Sequence, residues 1–213
     1  MYTPSHFHER DLPALHAMMQ KHPFALLVTR HDGEVQLTHL PFHLDPRRGP
    51  RGTLEAHLAR INPQCEAILA GGPSTVVFRG PDGYVSPRWY EDPAKNVPTW
   101  NYVAIHAHGR LKPVTEQARL LDMIGRLTDE HEAYIEKPWS IREAQAHAEH
   151  LAKHILGFEL EIEELEGKFK LSQNRSDGDR AGVLKELAKS THGDVKEMLE
   201  LMHGLYTEDG KRR

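Results

Sequence analysis

The segment Phe24-Ala25-Leu26-Leu27-Val28-Thr29-Arg30-His31-Asp32-Gly33-Glu34-Val35-Gln36-Leu37-Thr38-His39-Leu40-Pro41-Phe42-His43-Leu44 reads as two strands joined by a tight turn. Phe24 to Thr29 is an apolar run of strand length, and Val35 to Leu44 alternates loosely between apolar and polar side chains. Between them, His31-Asp32-Gly33-Glu34 carries an Asp-Gly pair, which supplies the positive φ that a two-residue hairpin turn needs. An early antiparallel hairpin is therefore expected.

Working outward, Leu12, Leu15, Met18 and Met19 recur at helical spacing after Asp11, predicting a helix over 11–21 that Pro23 ends. Residues 46–52 are rich in Arg, Pro and Gly and read as a loop, followed by a strand over Thr53–Ala59. Gly71-Gly72-Pro73 is a turn, Ser74–Arg79 a strand, Gly80-Pro81-Asp82-Gly83 a second turn, and Pro98–Gly109 a further strand. Two helices are predicted over 116–132 and 141–154. Ile155–Leu165 then alternates apolar residues against Glu, the period-2 pattern of a strand with one wet face. Residues 167–174 read as a loop or short strand, and helices over 183–189 and 194–203 close the chain. Strands that cluster early and turn tightly predict a mainly β, α+β fold: an antiparallel barrel with flanking helices.

The composition sets limits. Lys and Arg number 27 against 31 Asp and Glu, a net charge of −4, so no global basic field draws the chain to DNA or anionic lipid. No run of about 18 apolar residues exists, and the N-terminus lacks a charged region followed by an apolar one, so neither a membrane span nor a signal peptide is expected. The single cysteine, Cys65, cannot form an internal disulfide, which points to a cytoplasmic setting. The sixteen histidines are scattered. His147, His150 and His154 share a helix face, but without an accompanying carboxylate motif they predict no metal site, and His106 and His108 read as barrel-wall residues.

Three clusters mix groups that loops seldom need for folding alone. In the first, Arg60 ends a strand before Asn62-Pro63, presenting a planar fork and turn amides that suit a phosphate; a surface arginine beside a turn reads the same way. The second, Gly80 to Tyr90, and the third, Val97 to Tyr102, set flat aromatics beside Ser86, Thr99 and Asn101. Such segments can line a planar heterocycle or plug a barrel rim. No nucleophile elbow, P-loop or dinucleotide fingerprint is present.

Over nearly its full length the chain resembles the PaiB family. The resemblance rests on Met1-Tyr2-Thr3-Pro4 with His6-Phe7, His39-Leu40-Pro41-Phe42, and His57-Leu58-Ala59-Arg60 with Asn62-Pro63. It continues through Val77-Phe78 with Gly80-Pro81, Tyr84-Val85-Ser86-Pro87 with Trp89-Tyr90, and Val97-Pro98-Thr99-Trp100-Asn101-Tyr102. Pro138-Trp139, Gly157-Phe158, Glu166-Gly167-Lys168 and Lys170-Leu171-Ser172-Gln173-Asn174 complete it. Two positions depart from the family pattern: Ile61 where Ala is expected, and Gly83 where a small residue such as Ala is expected.

The resemblance implies an FMN-binding split barrel, six-stranded, antiparallel and Greek-key in connection, that binds FMN as a homodimer. It implies a split-barrel domain over 1–175 with a C-terminal helical tail, 176–213, packed on it. It also implies a negative transcriptional regulator. The tail sets Lys185, Lys189 and Lys196 against Glu186, Glu197 and Glu200, so direct DNA binding has neither charge nor motif behind it and the regulation reads as indirect. The alternative is a flavin-dependent oxidoreductase, reductase-like or haem-degrading. By position, Arg60 and Lys170 become phosphate candidates, Ser86 and Thr99 hydroxyl donors, and Asn62, Trp100, Asn101 and Gln173 neighbours of the ribityl chain or ring.

Overall fold

The computed structural model describes all 213 residues. In chain order the elements are β1 (His8–Glu9), α1 (Leu12–Lys21), β2 (Phe24–His31), β3 (Glu34–Pro41), β4 (His43–Asp45) and β5 (Thr53–Ala59). Then come α2 (Gln64–Ala70), β6 (Pro73–Val85), β7 (Thr99–Val114), α3 (Gln117–Glu132), α4 (Gln145–Ala152), β8 (Ile155–Lys170), α5 (Asp177–Leu187) and α6 (Gly193–Leu205). The fold is the expected α+β one, a mainly antiparallel sheet in hydrogen-bonded order β3-β2-β6-β7-β8-β5-β4, with β1 added on β8. Six strands are long, as expected; β1 and β4 are two and three residues. The pairing ends at β3 and β4 and does not close into a ring. No helix is long and apolar enough to cross a membrane.

The opening hairpin forms as its sequence dictates. Asp32 and Gly33 both adopt positive φ, 49° and 86°, and β2 pairs β3 from Phe24↔Pro41 to His31↔Glu34. Three expectations change. The Gly80–Gly83 turn does not exist, because β6 runs straight through it to Val85. Its ladder with β2 covers only Thr75–Val77, so the missing N–H of Pro81 costs no hydrogen bond on that side. The run 167–174 is not a separate loop or strand at its start, since β8 continues to Lys170. A helix, α2, occupies 64–70, where none was read; Asn62 starts it by accepting a hydrogen bond from Gln64 N at 2.9 Å through its side chain.

The chain forms two compact units, and β6, β7 and β8 each contribute residues to both. One comprises Leu12–Phe78 and His106–Leu165. Its core packs Phe42 edge-to-face with Phe78 and Phe158, each with centroids 6.1 Å apart, and also buries Leu27, Leu54, Ile68 and Leu160. There α3 packs Leu120 and Met123 against Val114 and Ala152. Gly157 permits that approach, because a Cβ on it would stand 2.6 Å from Leu120 Cδ1.

The other unit comprises Met1–Asp11, Arg79–Ile105 and Glu166–Arg213. Its core holds Val85, Val103, Leu171, Val183, Leu187, Met198 and Met202. Helix α5 begins earlier than the sequence pattern placed it, since Ser176 Oγ accepts from Asp179 N at 3.1 Å and caps the start. It presses so closely on the short 3-10 turn Pro87–Trp89 that a Cβ on Gly182 would lie 1.9 Å from Trp89 O. At Gly83 a Cβ would meet Met198 Cε at 3.2 Å, which is why a residue without one lets α6 lie against β6.

Candidate cofactor site

In the second of these units the start of β7 and the end of β8 supply a group of cations. Alternation along β8 sets Lys168 and Lys170 on one face, and their ammonium groups lie 5.3 and 6.0 Å from the centre of the Tyr102 ring. Lys170 Nζ donates to Thr99 Oγ1 at 2.5 Å and to the Trp100 carbonyl at 2.7 Å. Lys168 Nζ donates to the Tyr2 carbonyl at 3.0 Å. Arg175 donates to Asn96 Oδ1 at 2.7 Å, with its guanidinium 4.3 Å from the centre of the Tyr90 ring. Every one of these partners is neutral. Burial, then the charges of Lys168 and Arg175, hold the Lys170 ammonium below the usual lysine range.

The turn after β8 is built to carry these groups. Ser172 takes a left-handed conformation, φ 67°, and is buried. Asn101, also buried, donates to Ser172 Oγ at 2.9 Å. Gln173 closes the turn on itself, its Oε1 accepting from Leu171 N at 2.7 Å and its Nε2 donating to the Phe169 carbonyl. Asn101 and Gln173 thus spend their polar atoms on shaping the turn. Ser86 caps Pro87–Trp89, its Oγ accepting from Arg88 N at 3.3 Å. Of the aromatics, Tyr84 and Trp100 are not buried plugs, at 46% and 53% exposed, whereas Tyr90 is buried.

Thr99, Trp100, Asn101, Lys170 and Gln173 therefore come together. Arg60 and Asn62 belong to the other unit. There Arg60 Nε donates to the Lys153 carbonyl at 3.1 Å, and Asn62 Nδ2 donates to Thr38 Oγ1 at 3.2 Å. Burial pushes the nearby Cys65 thiol up, in keeping with a small buried residue rather than a nucleophile. Sequence reasoning missed Lys168 and Arg175. The i, i+2 spacing of Lys168 and Lys170 on a strand was a usable signal; the approach of Arg175 depends on the Ser172 turn and had none.

A site of unneutralised cations beside hydroxyl and aromatic groups suits an anionic, flat cofactor. The family described as "Putative FMN-binding domain" matches residues 1–164. The chain belongs to that FMN-binding family. It is 30% identical over 204 residues to the "Protease synthase and sporulation protein PAI 2" of Bacillus subtilis, covering 95% of this chain and 96% of that one, which makes it a PaiB-type member. Its fold is that of split-barrel proteins. It is similar to the FAD and heme binding protein of Mycobacterium smegmatis, with TM-score 0.57, 17% identity and coverage of 77% of this chain and 73% of that one. It is also similar to the flavocytochrome Anf3 of Azotobacter vinelandii, with TM-score 0.56, 16% identity and coverage of 76% and 69%. FMN is the cofactor this membership brings, and the donor set fits it: a phosphate dianion would neutralise cations that now meet only neutral oxygens and aromatic faces.

Proposed function

We propose that this chain is an FMN-binding, PaiB-type negative regulator of transcription whose action on DNA is indirect. The observation that carries the flavin half is the cation group Lys168, Lys170 and Arg175, with Lys170 destabilised by burial and by its two neighbours. Lys170, Lys168, Arg175 and the Thr99 hydroxyl would hold the phosphate. The Trp100 carbonyl anchors the Lys170 ammonium, while Asn101, Ser172 and Gln173 fix the turn that carries Arg175. When bound, FMN supplies a redox-active isoalloxazine. The chain's own contribution is to bring fixed positive charge to an aromatic, part-buried surface where water screens it weakly.

The regulatory half is supported by the likeness to PAI 2. Its indirectness is supported by charge: α6 carries Asp194, Glu197 and Glu200 against Lys196, α5 carries Asp177, Asp179 and Glu186 against Arg180 and Lys185, and Lys189 beyond its end pairs with Glu186 at 2.6 Å, so neither helix offers a basic reading face. On this reading residues 1–175 form the flavin domain and 176–213 its helical tail, in a cytoplasmic homodimer. The dimer is supported by the outer face of the β2–β3 hairpin, where Val35 and Leu37 on the end strand β3 are 63% and 61% exposed, beside Phe24 of β2 at 66%.

Titration of the purified protein with FMN, followed by quenching of flavin fluorescence, tests the cofactor site. Saturable binding that Lys170→Ala abolishes is the expected result. Binding lost in Arg60→Ala and kept in Lys170→Ala would move the phosphate to Arg60 and sink the assignment. Steady FMN-dependent consumption of NAD(P)H would identify a flavin-dependent oxidoreductase instead.

A further inference from the structure

Beside β6 and α5–α6, within one unit, lies a cavity of about 750 Å³ that shares Trp100 with the flavin reading but none of its cations. Three of its walls are aromatic. Tyr84 stands between Trp89 and Trp100, with ring centroids 6.5 and 6.0 Å away and interplanar angles of 76° and 74°. Tyr84 thus packs edge-to-face with both indoles, and the three rings together line the cavity with aromatic surface, which attracts positive charge. The rings are held in place by the fold: the backbone of Trp89 is pinned against Gly182, and β6 lies against α6 through Gly83.

The charges around the cavity have the same preference. Its ionised lining is Asp82, Glu186 and Asp194 against Lys189, with His192 alongside. Arg79, outside the lining, pairs with Asp82, and Lys189 pairs with Glu186 at 2.6 Å. Asp194, at the exposed start of α6, has no ion-pair partner and leaves the cavity one uncompensated negative charge. A flavin phosphate would meet repulsion here. A cation would meet three aromatic side chains and a carboxylate.

We propose that this cavity is a second ligand site, distinct from the phosphate-holding cations, and that it takes a small organic cation of the alkylammonium class. Desolvating a quaternary ammonium costs less than desolvating a compact ion, so a cavity lined with aromatic surface can bind it without a dedicated hydrogen-bond donor or acceptor. The proposal does not depend on the flavin reading, because none of the charged residues it uses contributes to the phosphate site.

The test pairs choline with its neutral isostere 3,3-dimethylbutan-1-ol, in calorimetric titrations of the full chain with and without FMN, and reads tryptophan emission alongside. Choline is expected to bind saturably, to perturb the emission, and to bind about tenfold more tightly than the isostere. Asp194→Asn, an exposed substitution that leaves the core intact, is expected to weaken choline several-fold and the isostere not at all; Trp100→Leu is expected to weaken choline further. Choline is also expected to bind equally well to FMN-loaded protein. Equal affinity for the two probes, indifference to both substitutions, or competition between choline and FMN would each overturn the proposal. A failure of FMN to bind would leave the choline result readable on its own.

Discussion

Glu55 and Glu159 stand directly opposite each other on β5 and β8, both nearly fully buried, and one arginine reaches both. Arg48 pairs with Glu55 and donates to Glu159 at 2.8 Å; Arg126 donates to Glu55 at 2.7 Å, and Arg119 closes on Glu159. Two carboxylates facing across a ladder would repel, so the arrangement survives only because three guanidinium groups enclose it. Burial raises the Glu159 pKa, but the hydrogen bonds and charge of Arg48, then of Arg119, outweigh it and leave the group below the usual carboxylate range.

Arg48→Met should therefore cost about 3 kcal/mol of folding stability, read by urea unfolding at neutral pH, because it leaves two buried carboxylates short of a partner. The pH dependence should reverse sign. In the native protein Glu159 titrates lower folded than unfolded, so its contribution is full above the unfolded value and fades as pH falls through the folded one. In Arg48→Met, mild acid should stabilise. A variant as stable as the parent, with an unchanged acid limb, would refute this account.

Lys170 gives the flavin reading its own pH signature. Its ammonium is held below the usual lysine range in the free protein by burial, Lys168 and Arg175, and a bound phosphate dianion would raise it again. Binding should then take up protons on the alkaline side, and FMN affinity should fall as pH rises through a midpoint lower than that of an ordinary lysine. Lys170→Gln should weaken FMN about 10- to 100-fold, the worth of one charge-assisted contact, and should flatten that alkaline fall. Fluorescence titrations from neutral pH upward would show both, and an unchanged alkaline limb in the variant would discard Lys170 as the titrating group.

How much of this was legible can be judged from particular residues. The Asp32-Gly33 turn, the alternation of Ile155–Leu165 and the periodicity of α3 are local signals, and each element formed where its pattern put it. The Gly80–Gly83 run carried an equally local turn signal and formed a strand, because pairing within the sheet overrode it. Residues 64–70 form a helix although their run carries little periodicity, and Asn62-Pro63 is the helix-start signal that precedes it. Within the site, Lys170 and Thr99 were found by motif. Arg175 was not, since its place follows from the positive φ of Ser172 and the amide of Asn101, which no spacing rule reports.

Gly182 is where α5 meets the Pro87–Trp89 turn most closely. A methyl there would sit 1.9 Å from the Trp89 carbonyl, backbone against backbone, with no flexible side chain to give way. Gly182→Ala should thus displace the Pro87–Trp89 turn and cost about 1–3 kcal/mol, despite alanine's better helix propensity. A lowered thermal midpoint together with an altered near-ultraviolet aromatic signal is the expected pair of readings. A raised midpoint, the result that propensity alone would give, would show that α5 and the turn are not in contact in solution.

The β2–β3 hairpin divides its side chains cleanly. Ala25, Leu27 and Leu40 turn inward and are buried, whereas Phe24, Val35 and Leu37 face out, with Phe24 stacked 6.0 Å from His39. Exposed aliphatic and aromatic groups on one face of a hairpin at the sheet's end are a template for association, and natural sheets usually guard such faces with charge. Leu37→Lys places a charge at the centre of that face and touches no buried residue, so the monomer should keep its stability to within about 0.5 kcal/mol. The dimer should not survive it. Sedimentation velocity is expected to show a two-chain species for the parent and a single chain for the variant. A two-chain species in both would move the interface elsewhere, and a single chain in both would remove the homodimer from the functional reading.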